Sequence, residues 1–143
     1  FSYQTGNPVV DILLSEKLEL AKANGIKAEV SLLLPKVCRI DDLDLCIIFA
    51  NALDNALKAC RSIAGTKSTR ITGKQQGDFY LLEFYNTCSE NSLPHMGIGL
   101  SNIKSVAEKY HGAMLIETHD KKFSLNVLLN ISLPVDNSSR QSY

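Results

Sequence analysis

Three polar side chains recur at helical spacing in the middle of the chain, and their types could hold a metal ion or a phosphate. Asn51, Asn55 and Lys58 fall on one face of a helix, with Asp54 at its edge. Amide oxygens can coordinate a hard cation such as Mg²⁺, and a lysine can reach a phosphate. Because Asn is a mediocre helix former, this face is costly unless it meets something polar. A solvated helix face that carries amides is the alternative interpretation.

The second feature is a glycine-rich run that opens a helix, Gly97-Ile98-Gly99-Leu100-Ser101-Asn102. Glycines let the backbone approach a ligand closely, and the first-turn amides carry the positive end of the helix dipole. Such a turn can bind a phosphate, although a tight turn without a ligand has the same sequence pattern. It is not a P-loop, because no GK[ST] follows, and it lacks the third glycine of a dinucleotide fingerprint.

The helix that must position the asparagines is predicted over residues 45–64, a stretch rich in Ala and Leu that ends before Gly65. Its opposite face is apolar at Leu45, Phe49, Leu53, Ala56, Cys60 and Ile63, and Cys46, Leu57 and Ala64 widen that stripe. An apolar stripe of this width is typical of a helix that covers a sheet.

The remaining elements follow from periodicity and turn residues. The predicted order is helix, strand, helix, two strands, loop, helix and two strands, over residues 5–25, 26–34, 45–64, 68–76, 78–87, 87–96, 97–112, 113–120 and 122–134. Thr5 or Asn7 can cap the first helix, and Gly112 is predicted to cap the last. This order predicts an α+β fold, a two-layer sandwich with a mixed, mostly antiparallel sheet and about three helices on one face.

Composition limits the classes of protein to which the chain can belong. Its 143 residues suffice for one domain with a real core. Fifteen Lys and Arg residues balance fifteen Asp and Glu residues, which argues against binding to nucleic acid or to an anionic membrane. The four cysteines have no CxxC spacing, and no apolar run is long enough to span a bilayer, so a reduced, cytosolic setting is predicted.

The two polar features, in this order and at this spacing, resemble a known family. NALDNALKA is similar to the N box, and GIGLSNI to the second glycine box, of the GHKL ATP-binding domain. Sensor histidine kinases, DNA gyrase, a class of heat-shock chaperones and mismatch-repair ATPases share this Bergerat-type fold. The resemblance covers residues 1–135, with 136–143 as a polar C-terminal tail. The opening segment, KYHGAML and the strand ending at Pro134 are most similar to the kinases of peptide quorum-sensing receptors.

The resemblance implies ATP and Mg²⁺ as cofactors and gives roles to individual residues. Asn55 matches the residue that binds Mg²⁺, and Lys58 matches a base that contacts phosphate. Asn51 stands one turn earlier, where the hydrolytic members carry a Glu. These three residues form the implied catalytic set. The implied nucleotide-binding set adds Asn86, Gly97, Ile98, Gly99, Leu100, Ser101 and Asn102.

Departures from the family pattern predict weak nucleotide binding. The first glycine box, DxGxG, is absent, and Asn86 stands roughly where its adenine-binding Asp would be. An amide oxygen could still accept that hydrogen bond, and an ordinary turn residue is an equally good interpretation of Asn86. Ala59 replaces an aromatic residue that lies near the base in many family kinases. Loop 87–96 would form a short lid, mobile without ligand, in which His95 is interpreted as a solvated residue.

The function that the resemblance implies is transfer of the ATP γ-phosphate, by the catalytic domain of a sensor histidine kinase, to a histidine on a separate upstream dimerisation domain. The expected partners are that domain and, through it, a response regulator. The full-length protein is expected to be a homodimeric, membrane-anchored bacterial receptor with this domain at its cytoplasmic end. No nucleic acid partner and no membrane contact by these residues are expected. The alternatives are a non-catalytic nucleotide-binding regulator, anti-sigma-like or a degenerate kinase, a GHKL ATPase, and a non-nucleotide interaction domain.

Overall fold

A computed structural model of the chain describes residues 3–36, 38–89 and 97–132. Within these residues the chain forms three helices and five strands. Their bounds are α1 (Pro8–Ala23), β1 (Lys27–Ser31), α2 (Asp42–Arg61), β2 (Ser68–Gln76), β3 (Phe79–Thr87), α3 (Ile98–Lys109), β4 (Ala113–His119) and β5 (Lys122–Asn130). Most of the predicted lid, including His95, and the predicted tail lie outside the described residues.

The five strands form one sheet in the order β1-β2-β3-β5-β4. β1 runs parallel to β2, and the other three neighbouring pairs are antiparallel. The parallel pair arises because α2 crosses over between β1 and β2, whereas tight turns join β2 to β3 and β4 to β5. The predicted α+β fold with a mixed, mostly antiparallel sheet is therefore confirmed.

One face of the sheet carries the core, and the helices pack on that face. Along β3, Tyr80, Leu82 and Phe84 are buried while the residues between them are half-buried or exposed, because successive side chains on a strand point to opposite faces. The register places Leu82 opposite Val127 and Phe84 opposite Leu125, so the buried rows of β3 and β5 are adjacent. These residues join one apolar cluster with Val10 and Leu14 of α1, Ile48 and Phe49 of α2, and Ile103 and Val106 of α3.

The two longest helices begin at residues with a clear physical role. Asn7 caps α1 as predicted, because its side chain accepts hydrogen bonds from the backbone N–H groups of Val9 and Val10. The bounds of α2 differ from the predicted range 45–64, since the helix begins at Asp42 and ends at Arg61. Two acidic residues in its first turn favour the earlier start electrostatically.

Three positions expected on the apolar stripe of α2 are corrected, two of them by the earlier end of the helix. Ile63 and Ala64 follow the helix, and they are half-buried and exposed rather than part of its apolar stripe. Cys46 is half-buried as well. The predicted strand 26–34 is shorter than expected, because its ladder with β2 ends at Ser31.

The end of α3 corrects the prediction for Gly112. The residue with a positive φ after this helix is His111, at 55°, and not the glycine. Gly112 is required for a different reason: a Cβ atom there would lie 1.6 Å from the backbone oxygen of Leu128 on β5. The glycine therefore permits the close approach of two backbones.

No helix in the described ranges combines the length and the apolar character that crossing a membrane requires.

Candidate nucleotide site

A cavity of about 520 Å³ lies between α2 and the start of α3. Its lining residues are Asn51, Asp54, Asn55, Lys58, Ala59, Gly97, Ile98, Gly99 and Leu100. The structure thus brings the polar face of α2 and the glycine-rich turn together at one site, although Gly97 comes 46 positions after Asn51 in the chain. α2 packs with its opposite, apolar face on the sheet, which leaves the asparagines free to face the cavity.

Asn51 is held in one orientation. Its Nδ2 donates a hydrogen bond to the Ile47 carbonyl, one turn back on α2, at 2.7 Å. Its Oδ1 faces α3, because a Cβ atom at Gly99 would lie 3.1 Å from that oxygen. A glycine at position 99 therefore lets α3 approach the amide closely, as the sequence predicts for this turn.

The start of α3 supplies hydrogen-bond donors to the same cavity. Gly97 is the N-cap, its backbone is extended, and no side chain in the described part of the chain caps the helix there. The first helical bond runs from the Ser101 N–H to the Gly97 carbonyl at 3.0 Å. The amides of Ile98, Gly99 and Leu100 precede it, so they lack acceptors within the helix. All three residues line the cavity, where their positive dipole end can attract an anion.

The cavity contains a charge arrangement that the sequence did not suggest. Lys17 of α1 forms an ion pair with Asp54 of α2, with 2.7 Å between Nζ and Oδ1. Asp54 lines the cavity, whereas Lys17 does not line it and contacts the Asp54 carboxylate from the neighbouring helix. Lys58, one turn beyond Asp54, is exposed and makes no ion pair with any residue in the described ranges.

Three predicted site residues do not line this cavity. Ser101 and Asn102 lie further along α3 and are exposed. Asn86 lies near the end of β3 with 1% exposure, and its Nδ2 donates to the Thr87 carbonyl at 2.8 Å. That carbonyl is 3.6 Å from the Cys60 sulfur, so the end of β3 lies beneath the last turn of α2.

The donor types at this site suit a magnesium nucleotide. In the described residues, no group of three or more His, Cys, Asp and Glu side chains could hold a metal ion. A cation at this cavity would need amide oxygens together with phosphates and water, which is the usual coordination of Mg²⁺ with nucleotides. Asn55 offers such an oxygen, while Lys58 and the α3 amides offer positive charge to the phosphates.

Comparison with known proteins defines the family. The family model for the GHKL domain matches residues 40–130, which include both α2 and the glycine-rich turn. The chain belongs to the GHKL domain family. No individually curated protein sequence matches it significantly.

Solved structures of histidine kinases share the fold. The catalytic domain of histidine kinase ThkA, in a nucleotide-free form, superimposes with a TM-score of 0.72 at 12% identity, over 92% of this chain and 96% of that one. A Burkholderia phymatum histidine kinase gives 0.70 at 16% identity, over 93% and 70%. The Acinetobacter baumannii histidine kinase AdeS gives 0.69 at 14% identity, over 87% of this chain but 64% of its own. At these identities the similarity is one of fold.

Proposed function

We propose that this domain binds Mg·ATP and transfers the γ-phosphate to a histidine on a separate dimerisation domain. The observation that supports this proposal most directly is the shared cavity, which places Asn51, Asn55 and Lys58 opposite the start of α3. Phosphoryl transfer asks little covalent chemistry of a protein, since positioning and charge neutralisation supply most of the catalysis. The residues at this cavity can provide both.

Each residue has a proposed task. The Asn55 amide oxygen holds Mg²⁺, which neutralises charge on the phosphates when it is bound. Lys58 contacts a phosphate from the α2 side, and the amides of residues 98–100 contact phosphates from the α3 side. Asn86 accepts a hydrogen bond from the adenine amino group at the end of β3. Ser101 and Asn102 continue the phosphate-facing helix.

Asn51 separates the kinase proposal from the ATPase alternative. A general base for hydrolysis must take a proton from the attacking water. The amide of Asn51 cannot do this at neutral pH, because it has no basic lone pair comparable to that of a carboxylate. The amide can still coordinate a metal ion or hold a water molecule. A transferase gains from such a residue, since futile hydrolysis competes with transfer to histidine.

The experiment compares phosphate release with phosphate transfer. The natural isolated domain is expected to bind Mg·ATP and release almost no phosphate, whereas Asn51→Glu is expected to raise release. When the natural domain is joined to its histidine-bearing domain, that histidine should become phosphorylated. Asn55→Ala is the control, since it should abolish binding and both activities. Robust hydrolysis by the natural domain would overturn the kinase proposal in favour of the ATPase.

A non-catalytic regulator is the second candidate, and the missing DxGxG box favours it. It would bind Mg·ATP without phosphorylating a histidine, so the same transfer assay distinguishes the two candidate functions.

We also propose that residues 1–135 form the catalytic domain, that residues 136–143 form a tail, and that the protein belongs to the branch of peptide quorum-sensing receptors. In this proposal the domain lies in the cytoplasm as part of a homodimeric, membrane-anchored receptor that signals to a response regulator.

A further inference from the structure

The ion pair between Lys17 and Asp54 joins α1 to the edge of the candidate site. Its atoms are 2.7 Å apart, and the Lys17 side chain is 24% exposed against 59% for Asp54. Lys17 therefore lies largely against protein while its ammonium group extends to a carboxylate that faces the cavity. Of the two partners, Asp54 is the one that lines the cavity.

Asp54 has a second cation within reach on its own helix. Asp54 and Lys58 are four residues apart on α2, which makes them neighbours on its surface. The acid precedes the base, the favourable orientation for such a pair. The structure nevertheless pairs Asp54 with Lys17, and Lys58 faces the cavity without an ion pair to any residue that the structure describes.

We propose that Lys17 is a positioning residue for nucleotide binding. By holding the Asp54 carboxylate, it prevents Asp54 from pairing with Lys58 and leaves the Lys58 ammonium for a phosphate. It also neutralises a negative charge at the edge of a cavity that must accept the phosphates of ATP. This inference rests on the proposed function, since it requires that the cavity binds Mg·ATP.

The test is a pair of linked substitutions with the dissociation constant of Mg·ATP as the measurement. Lys17→Met keeps the apolar stem but removes the charge, so Asp54 should turn to Lys58 and Kd should rise about fivefold. Lys17→Met combined with Asp54→Asn should return Kd to within about twofold of the natural value, because no carboxylate then competes for Lys58. Lys17→Arg, which keeps the ion pair, should bind as the natural protein does.

The rescue is the decisive comparison, because a purely structural contact between α1 and α2 would not be restored by removing its second partner. Lys27→Met is the matched control: Lys27 pairs with Glu29 at 3.8 Å, its side chain is 76% exposed, and it does not line the cavity. This control should leave Kd unchanged. The thermal midpoint of every variant is measured to show that it is folded.

The outcomes distinguish the proposed nucleotide binding from the proposed positioning role of Lys17. If the natural protein binds no Mg·ATP, the proposed function fails and this inference fails with it. If the natural protein binds but Lys17→Met has an unchanged Kd, the positioning role is wrong while the function stands. A double variant that binds as weakly as Lys17→Met also overturns the positioning role.

Discussion

The Asn51 side chain is confined on two sides, by α2 itself and by α3. Its hydrogen bond to the Ile47 carbonyl fixes Nδ2, and the approach of Gly99 leaves little space beside Oδ1. The amide therefore cannot turn away without losing a hydrogen bond or meeting the neighbouring helix. The absence of a side chain at Gly99 is therefore needed for the geometry of the site.

Gly99→Ala is expected to weaken Mg·ATP binding roughly 2- to 10-fold. The new Cβ would lie 3.1 Å from Asn51 Oδ1, and pushing that side chain off its rotamer costs about 0.5–1.5 kcal/mol. Alanine is the better helix former, so the thermal midpoint should not fall. The dissociation constant and the midpoint are measured together.

Gly65→Ala is the control for Gly99→Ala, because a Cβ atom at Gly65 has no neighbour within 4 Å. It should change neither quantity. Unchanged nucleotide binding in Gly99→Ala would contradict the close contact between α3 and Asn51.

The site could be predicted from the sequence to the extent that it depends on one helix. The spacing of Asn51, Asn55 and Lys58 determines their common face, since the period of an α-helix is fixed. The contact between Lys17 and Asp54 could not be predicted in this way. It depends on how α1 crosses α2, and that crossing is set by packing of side chains from both helices and the sheet.

A buried polar cluster joins the start of α2 to the end of α3. The Tyr110 hydroxyl donates to Asp44 Oδ2 at 2.5 Å and accepts from the Asp41 N–H at 3.1 Å. Lys109 Nζ lies 2.8 Å from the same Asp44 oxygen. Asp44 is only 7% exposed, and Lys109 at the end of α3 and Tyr110 directly after it compensate its charge. This cluster fixes the antiparallel alignment of the two helices that form the cavity.

Tyr110→Phe should lower the free energy of unfolding by about 1–3 kcal/mol at pH 7. The substitution keeps the ring but leaves the Asp44 carboxylate and the Asp41 N–H without the hydroxyl. Urea unfolding measures the effect. Tyr85→Phe is the matched control, because the Tyr85 hydroxyl makes no hydrogen bond to any residue that the structure describes, while its ring packs under Arg70.

The same variant has an expected pH dependence. Burial and the hydrogen bond to Asp44 raise the pKa of Tyr110 above its ordinary value. A raised pKa stabilises the folded state fully below the unfolded pKa of about 10 and loses that contribution at higher pH. The stability difference between the natural protein and Tyr110→Phe should therefore shrink above about pH 10. A difference that stays constant or grows would contradict the assignment.

The elements themselves could be predicted well where periodicity is strong and less well at their ends. The strand bounds of β2 and β3 agree with prediction within about one residue, and side chains along β3 alternate in burial because successive side chains on a strand point to opposite faces. The end of α3 could not be predicted from Gly112. A glycine that is needed for a left-handed backbone and one that is needed for close approach look the same in a sequence, and only the position of Leu128 distinguishes them.

The candidate site is coupled to the core of the domain. The apolar cluster includes residues of all three helices and of the sheet, and the cavity is formed by two of those helices. Unfolding would separate α2 from α3 and destroy the cavity. A ligand that binds this cavity therefore binds the folded state and should stabilise the entire domain.

Nucleotide binding should therefore be measurable as a change in thermal stability. Mg·ATP at 100 times its dissociation constant should stabilise the folded domain by about 2.7 kcal/mol, which corresponds to a rise in Tm of roughly 8 °C for a chain of this size. Chelating the magnesium with EDTA should remove most of the rise, because the Asn55 oxygen and the phosphates need the cation between them. Asn55→Ala should show almost no rise at the same concentration. Differential scanning calorimetry measures all three conditions. An equal rise in EDTA, or in Asn55→Ala, would show that the nucleotide binds without the metal position that α2 is proposed to provide.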